Sequence, residues 1–397
     1  MTIKNLKKAA LRLKKAAKNK EKIILYGDAD LDGIASVLMV RETLKNLNVQ
    51  EPFVYFPHRE IDGYGLNENF LTSFQHLTPA LLVLFDCGIS NFEEVAKAKK
   101  LGFEVIIIDH HEPLKKIPKA SILINPKQKG DKFPFKFLAT AGIVFKLCQE
   151  ILGDKFSKAL EQNFLELTCL ATVYDMMPRE ADNQIFVDQG LLALQNTFRP
   201  GLKAVMELEE VTNSLPDPWL WLGKIINILS AGQDSQNHLP ITYKILTTAN
   251  LQEAREIALF LSEQAKLKKQ RISEIVEEIK ERVRAKEKEN IIFEGSSQWE
   301  IAYLGSSANK ILQFFNKPVF LYKMGPKESI GGVRVPKNFN SVKMMEHCEN
   351  LLLKYGGHPL AAGFRLKNEN LEVFKKCLLE YLEKNKKTGN EKNNNLH

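Results

Sequence analysis

The chain of 397 residues contains no long hydrophobic run. No apolar stretch approaches the ~20 residues that a transmembrane helix needs. The first twenty residues, MTIKNLKKAALRLKKAAKNK, lack the apolar core of a secretory signal peptide. The sequence therefore predicts a globular protein without a membrane partner, and the length is sufficient for two or three domains.

Cysteine is scarce. The five cysteines are odd in number and scattered, and no two have the spacing of a zinc finger: Cys87, Cys148, Cys169, Cys348 and Cys377. Stable disulfides belong mainly to oxidising compartments, where paired cysteines are common. The cysteine pattern therefore favours a reduced, cytoplasmic location.

The body of the chain also lacks an excess of basic residues. The whole chain carries +8, while residues 1–22 alone carry +8 and residues 384–397 carry +3, so the residues between them carry −3. A basic groove cannot be argued from the net charge. The first segment spaces apolar residues on one helical face, which predicts either a docked helix with a solvated lysine face or an arm that contacts phosphates. The face consists of Leu6, Ala9, Ala10, Leu13, Ala16 and Ala17.

Short apolar runs alternate with helical stretches in the first part of the chain, which predicts a parallel sheet covered by helices. The pattern becomes helical from about 137 to 210. A long amphipathic helix without internal Pro or Gly then leads to a smaller α/β domain, in which NIIFEG, WEIAYLG, PVFLYKMG and SIGGVRVP are predicted strands. The predicted fold class is thus α/β, with a parallel-sheet domain joined by a long helix to a second α/β domain. The predicted parts are a basic helical arm (1–21), a catalytic domain (22–250), a connector helix (251–288), a substrate-binding domain (289–383) and a disordered tail (384–397).

The stretch IILYGDADLDGIAS places three aspartates two residues apart between a predicted strand and a predicted helix: Asp28, Asp30 and Asp32. An EF-hand calcium loop is excluded, because the twelfth position, counted from Asp28, is the apolar Met39 rather than a glutamate. An acidic turn without function remains an alternative. Carboxylates at the carboxyl end of a strand also lie where open α/β sheets build their sites.

Further acidic and histidine residues follow other predicted elements. Asp86 ends LLVLFD, Asp109, His110 and His111 follow EVIII, and Asp175 follows LATVY. Singly, each could be a helix cap or a surface residue. Together they form a dense set of like charges that requires cations. Mostly carboxylate ligands with one or two imidazoles suit Mn²⁺ or Mg²⁺ better than zinc, and two such ions would catalyse hydrolysis of a phosphate ester.

The motifs DADLDGIAS, DCGIS and DHH and the Asp175 segment, in this order, resemble the DHH phosphoesterase superfamily. PHREIDGYGL, ATAGIVFKL, GGVRVP and GGHPLAAGF are similar to its RecJ group of single-strand-specific exonucleases. The resemblance implies two divalent cations, Mn²⁺ in preference to Mg²⁺. It implies the metal ligands Asp28, Asp30, Asp32, Asp86, His110 and Asp175, with Asp86 bridging the ions.

The same resemblance implies roles for residues that do not bind metal. His111 and Asp109 would be catalytic, with His111 orienting its neighbour or acting on the scissile phosphate. The implied substrate-binding residues are Arg59, Arg334, Gly357 and His358. A surface charge for Arg334 and a turn residue for His358 are the alternatives without the motif.

Three departures from the RecJ pattern stand out. Gln233 replaces an arginine that contacts nucleic acid in the group, and Gly332 replaces a serine. We also expect no C-terminal OB fold, a module that grips single strands and whose loss would affect processivity.

The implied activity is 5′-to-3′ hydrolysis of single-stranded DNA in repair or recombination, with DNA favoured over RNA. Two alternatives remain. One is a nanoRNase or cyclic-dinucleotide phosphodiesterase of the same superfamily, and the other is an inactive DNA-binding scaffold.

Overall fold

The computed structural model describes the backbone of residues 2–59, 61–232, 235–236, 238–284 and 289–393, and their side chains except at 235–236 and beyond 384. The chain divides into two compact units, Met1–Lys266 and Leu267–His397. The division falls inside the helix predicted as the connector. The first unit also includes the N-terminal arm. Gln233 lies outside the described residues. Within the described ranges, no helix combines the length and the apolarity needed to cross a membrane.

The first unit alternates strands and helices up to its fifth strand and is mainly helical afterwards. In chain order its elements are α1 (Leu6–Lys18), β1 (Ile23–Gly27), α2 (Leu31–Asn46), β2 (Phe53–Tyr55), α3 (Glu68–Phe74), β3 (Ala80–Phe85), α4 (Phe92–Lys100), β4 (Phe103–Ile108), β5 (Ile122–Ile124), α5 (Thr140–Leu152), α6 (Lys158–Tyr174), α7 (Ala181–Gln195), α8 (Pro200–Met206), α9 (Glu209–Thr212), α10 (Pro218–Leu229), β6 (Ser235–Gln236), β7 (Leu239–Pro240) and α11 (Ile241–Thr247).

The sheet of the first unit is parallel, with the strand order β2-β1-β3-β4-β5. Successive residues of its strands enter opposite cores: Leu25 packs with one hydrophobic cluster, and Ile24 and Tyr26 pack with the other. Helices α1, α2, α5 and α6 contribute to the first cluster, and α3 and α4 to the second. Burial on both faces explains the nearly continuous apolar strands and confirms the predicted parallel α/β fold.

Helix α1 is docked on the first unit. Its buried residues are Leu6, Ala9, Ala10, Leu13 and Ala16, nearly the whole predicted face. Arg12 forms ion pairs with Glu21 and Glu104, which fix the helix to β4. The docked-helix alternative is therefore confirmed for the arm, while the lysines on its outer side keep their charges available to solvent or to a partner.

Helix α12 (Leu251–Arg284) extends over 34 residues and carries the predicted apolar stripe. Residues of that stripe, including Ala254, Ala258 and Leu261, are fully buried in the first unit. Residues 285–288, which the sequence assigns to the same helix, lie outside the described ranges. The predicted long helix is thus confirmed up to Arg284.

The second unit contains a mixed sheet in the order β11-β12-β10-β9-β8, in which only β8 and β9 are parallel. Its elements are β8 (Ile292–Ser296), α13 (Ile301–Phe315), β9 (Val319–Met324), β10 (Glu328–Arg334), α14 (Ser341–His347), β11 (Lys354–His358), β12 (Ala361–Lys367) and α15 (Leu371–Asn393). The second α/β domain predicted from the sequence is therefore present.

Two sequence predictions for the second unit are wrong. WEIAYLG is not a strand, because α13 begins at Ile301 and buries Leu304, Ala308 and Ile311 at helical spacing. Disorder from residue 384 is also contradicted, since α15 continues to Asn393; extending a formed helix avoids the cost of nucleation.

Two cysteines of the second unit are paired. Cys348, just after α14, forms a disulfide with Cys377 on α15, a pair that the sequence analysis did not predict. The two residues are 29 positions apart, and only the fold brings them together. Cys87, Cys148 and Cys169 are buried and take no part in this disulfide. The cytoplasmic location stays a prediction.

Candidate metal centre

The carboxyl ends of three neighbouring strands carry the predicted acidic residues. Asp28 follows β1, Asp86 follows β3, and Asp109 and His110 follow β4. Because β1, β3 and β4 are parallel and adjacent, these ends meet at one edge of the sheet. The backbone N–H groups of Asp28, Asp86 and Asp109 extend the hydrogen-bond ladder of the sheet. They donate to the carbonyl oxygens of Phe85, Ile108 and Ile124, respectively. The strand register thus fixes the positions of the side chains.

Asp32 is held by the N-terminus of another helix. Its two carboxylate oxygens accept hydrogen bonds from the N–H groups of Thr140 and Ala141, both at 2.7 Å, where α5 begins. A helix N-terminus favours negative charge, since its first N–H groups have no partner within the helix. The hydroxyl of Thr140 donates to Asp86 Oδ1 at 3.0 Å, so one residue positions two carboxylates.

His110 presents its Nε2 atom to three carboxylates. Its Nδ1 lies 3.0 Å from the carbonyl oxygen of Leu138, which can only accept, so Nδ1 carries the proton and Nε2 offers a lone pair. Nε2 lies 3.1 Å from Asp175 Oδ2, 3.3 Å from Asp86 Oδ1 and 3.7 Å from Asp32 Oδ2. Burial and the charge of His111 lower the pKa of His110 to about 4, which favours the neutral, ligating form.

Asp86 belongs to three groups of potential ligand atoms, and two of them consist entirely of predicted metal ligands. Within each group, one ligand atom per residue lies within 4.8 Å of all the others. The first group is Asp32, Asp86, His110 and Asp175, and the second is Asp28, Asp30 and Asp86. All six residues predicted as metal ligands are therefore brought together, and Asp86 is the residue that both groups share.

The electrostatics of this cluster call for cations. Burial and the charge of Asp32 raise the pKa of Asp86 well above its usual range. Burial, with neighbouring carboxylates second, raises the pKa of Asp32 and of Asp175 to about 7. Buried carboxylates can remain ionised together only if positive charge is nearby. Hard oxygen donors with one neutral imidazole suit Mn²⁺ or Mg²⁺, so the residues present fit such ions.

Arg59 lies within this cluster. Its Nη2 atom pairs with Asp28 and lies 3.0 Å from Asp30 Oδ2. Burial opposes the charge of the guanidinium, but the two carboxylates hold the pKa of Arg59 well above its usual range. The structure thus places this predicted phosphate ligand against two predicted metal ligands, where it neutralises part of their charge. Its contact with substrate stays a prediction.

His111 and Asp109 form a pair beside the cluster. His111 Nδ1 lies 2.8 Å from Asp109 Oδ1, and the other oxygen of Asp109 accepts the N–H of Ile89 at 3.0 Å. Burial alone would raise the pKa of Asp109, but the charge and hydrogen bonds of His111 hold it below its usual range. Asp109 in turn outweighs burial and raises the pKa of His111. The pair favours a protonated His111 at the edge of the site.

Sequence reasoning assigned no role to several residues that support the site. The hydroxyl of Tyr64 donates to the carbonyl oxygen of Asp86 at 2.8 Å and lies 3.2 Å from His111 Nδ1. Lys127 Nζ donates to the carbonyl oxygen of His110 at 2.7 Å. Tyr64 and Thr140 lie inside the motifs REIDGYGL and ATAGIVFKL, so position within a motif was the one available signal.

Asp86 has an unusual backbone conformation. Its φ of 59° lies in the left-handed region, which most residues avoid and which aspartate and asparagine tolerate best among residues with a side chain. The turn after β3 directs the chain so that both the carboxylate and the carbonyl oxygen of Asp86 take part in the site. Backbone strain of this kind is common at functional sites.

The remaining predicted site residues belong to the second unit. Arg334 on β10 and His358 on β11 both face Ala361 of the intervening strand β12 in the register. Residues directly opposite in antiparallel strands share a face, so the side chains of Arg334 and His358 lie in one row. Gly357 takes a φ of +139°, and an added Cβ would lie 2.6 Å from the carbonyl oxygen of Ala361. Gly332 lies within β10, where it requires no special conformation.

Comparison with known families agrees with this architecture. Residues 22–172 match the N-terminal domain of the DHH family, and residues 288–384 match the DHHA1 domain. The chain thus contains a DHH N-terminal domain followed by a DHHA1 domain. The first matched segment contains the sheet of the first unit, and the second contains the sheet of the second unit. The first segment also includes five of the six predicted metal ligands.

The curated relatives of this chain include RecJ exonucleases. It is 31% identical to the single-stranded-DNA-specific exonuclease RecJ of Bacillus subtilis over 381 residues, which are 95% of this chain and 48% of that protein. RecJ of Salmonella typhimurium is 28% identical and is covered to 65%. The chain thus spans about half of the first relative and just under two thirds of the second.

A solved structure supports the fold. The crystal structure of an exonuclease RecJ bound to manganese superposes with a TM-score of 0.76 at 23% identity, covering 96% of this chain and 95% of that one. This likeness confirms the two-domain α/β fold of the chain.

Proposed function

We propose that the protein is a metal-dependent phosphodiesterase that hydrolyses single-stranded DNA from the 5′ end, in the manner of a RecJ exonuclease. The observation that supports this most directly is the shared position of Asp86 in two groups of ligand atoms. Its curated relatives are named as single-stranded-DNA-specific exonucleases, and the manganese-bound structure has the same fold. DNA repair or recombination in the cytoplasm is the role that this activity would serve.

We propose two divalent cations, Mn²⁺ in preference to Mg²⁺. Asp32, Asp86, His110 and Asp175 would hold one ion, and Asp28, Asp30 and Asp86 the other. Ions at such a site activate water near neutral pH and neutralise charge on the phosphate oxygens. The protein's part is to hold the ligands rigidly, which Thr140 and the α5 N-terminus do for Asp32 and Asp86.

The remaining residues would act on the substrate. His111, whose pKa Asp109 raises, would donate a hydrogen bond to an oxygen of the scissile phosphate. Arg334 and His358, with the backbone at Gly357, would bind the 5′-terminal phosphate, for which an arginine fork is well suited. Arg59 would exchange part of its contact with Asp28 and Asp30 for a substrate phosphate when cations occupy the cluster.

A time course with Mn²⁺ tests the proposal. We would compare a 5′-phosphorylated single strand of about thirty nucleotides with a dinucleotide, each as DNA and as RNA. Stepwise shortening of the DNA strand from its 5′ end is the expected result. Cleavage of the dinucleotide alone would instead indicate a nanoRNase-type enzyme. Strand binding without Mn²⁺ binding or hydrolysis would indicate a scaffold.

A further inference from the structure

A cleft in the first unit adjoins the two histidines. Its volume is about 320 Å³. Two loops line it, the loop between β4 and β5 with Glu112 and the loop that joins β5 to α5 with Pro126, Lys127, Gln128, Asp131, Lys136 and Phe137. The volume is at the lower end of the range for ligand pockets, which is suitable for one nucleoside rather than for a larger molecule.

Both walls of the cleft are attached to the metal centre. In the first wall, Lys127 Nζ donates to the carbonyl oxygen of His110 at 2.7 Å. In the second wall, Leu138 follows Phe137 directly, and its carbonyl oxygen accepts the Nδ1–H of His110. A group bound in the cleft would therefore lie beside residues that contact His110, one of the proposed metal ligands.

The ring of Phe137 is exposed in a segment that otherwise buries its aromatic residues. In FPFKF, Phe133 is 7% exposed and Phe135 packs against the core, whereas Phe137 is 49% exposed. Asn183 Nδ2 donates to the carbonyl oxygen of Phe137 at 2.7 Å. The ring centroid of Phe137 lies 6.0 Å from that of Phe135. The backbone is thus anchored while the ring remains available. Single exposed apolar residues are common, so exposure alone would carry no conclusion.

The charges around the cleft are balanced. Lys136 Nζ lies 2.6 Å from Asp131 Oδ1. Burial lowers the pKa of Lys127, and the negative charge of Glu112 partly offsets this by raising it. A phosphate would be better served by an excess of positive charge. A flat, neutral group with polar edges is the better match, because it can stack on Phe137 and meet donors and acceptors at the rim.

We propose that this cleft is a subsite for one nucleobase of the single-stranded substrate, next to the phosphate that is hydrolysed, with Phe137 as its stacking surface. The proposal rests on the proposed nuclease function and adds a named base-contacting residue in the catalytic unit. Stacking on an aromatic ring tolerates every base, so the subsite would add affinity without sequence preference.

Two variants at position 137 and one control test the role of the ring. Phe137→Ala should raise KM for a long 5′-phosphorylated strand about tenfold with little change in kcat, and Phe137→Tyr should restore it. Phe198→Ala removes another exposed phenylalanine of the same unit and should leave KM unchanged. Equal effects of Phe137→Ala and Phe198→Ala would overturn the proposal, as would a loss of Mn²⁺ affinity that accounts for the change.

An abasic scan tests whether the ring meets a base. One abasic site is moved along the strand, and a single position near the 5′ end should weaken binding to the wild type about as much as Phe137→Ala does. At that position the abasic strand and the variant should show no further combined loss, because both remove the same contact. Fully additive losses at every position would refute the stacking contact.

Photo-crosslinking keeps the two proposals separable. The probe is a twelve-nucleotide phosphorothioate strand with one 5-iodouracil at a chosen position, and the crosslinked peptide is identified by mass spectrometry. A crosslink to Phe137 supports the subsite, whether or not the protein hydrolyses DNA. If hydrolysis is seen while crosslinks form only elsewhere, the subsite is wrong and the nuclease proposal stands. If neither is seen, both are wrong.

Discussion

The two units differ in where they keep their charges. In the first unit, Asp28, Asp32, Asp86 and Asp109 are each at most 1% exposed and lie close together at a sheet edge. In the second unit, Glu294 is the only carboxylate that is buried among the residues whose side chains are described. The proposed phosphate-binding residues there, Arg334 and His358, are half-buried and stand on the face of a sheet.

This difference separates two physical tasks. Buried like charges are costly without a counterion, so the first unit is built for cations. Half-buried donors on a sheet surface cost little and can exchange water for a ligand, which suits the reversible phosphate binding proposed for Arg334 and His358. Variants in the first unit should therefore affect the metal and the rate, while variants in the second should affect substrate affinity.

Asp86→Ala should have the largest effect. It removes the ligand that both groups share, and we expect Mn²⁺-dependent hydrolysis to fall by at least about a thousandfold, since metal-ion catalysis contributes several kcal/mol. Calorimetric titration should show the loss of Mn²⁺ binding, while the metal-free variant should unfold no earlier than the wild type because a repelling charge is gone. Retained turnover in Asp86→Ala would contradict the proposal that Asp86 is a ligand shared by both ions.

Asp109→Asn should lower the rate by about a hundredfold, in the range typical of general acid–base groups. Asp109 holds the pKa of His111 up, so the variant should lower that pKa and shift the alkaline limb of the pH–rate profile to lower pH. Mn²⁺ affinity serves as the control. An unshifted profile would contradict the role of the pair.

The free energy of unfolding of the metal-free protein should fall as the pH rises from about 4 to about 7. The folded-state pKa of Asp32 and of Asp175 is raised to about 7, so protonated carboxyls stabilise the folded state at low pH and must ionise as the pH increases. Saturating Mn²⁺ should offset the loss, by about 3 kcal/mol at a hundredfold excess over Kd. Thermal melts with EDTA or Mn²⁺ at pH 5 and pH 8 check this. The difference in melting temperature between the Mn²⁺ and EDTA samples should be larger at pH 8 than at pH 5. A smaller difference at pH 8 would contradict the expected sign.

Arg334→Ala should have the smallest effect of the four. We expect about a tenfold rise in KM for a 5′-phosphorylated strand, consistent with the loss of a charge-assisted hydrogen bond, and no change in Mn²⁺ affinity. A strand with a 5′-hydroxyl end is the control, because the variant should no longer distinguish the two. If the preference for the phosphorylated end persists, Arg334 does not bind that phosphate.

The sequence predicted the acidic edge well because the rule behind it is local. Asp28, Asp86 and Asp109 each follow an apolar run, and parallel strands bring their ends together whatever the rest of the chain does. The partners of these residues depend on distant contacts instead: Asp32 meets Thr140 across 108 positions. Periodicity also could not separate strand from helix at Ile301, where the apolar run is short.

The backbone at Asp86 restricts what position 86 can accept during evolution. Glycine would adopt its left-handed φ most readily but would supply no ligand, and asparagine would fit the backbone without the charge. Glutamate would keep a carboxylate but on a longer stem, in a conformation that it tolerates less well. Aspartate combines a tolerated left-handed backbone with a short carboxylate ligand. A natural replacement at position 86 would therefore indicate a protein that no longer binds metal at this site.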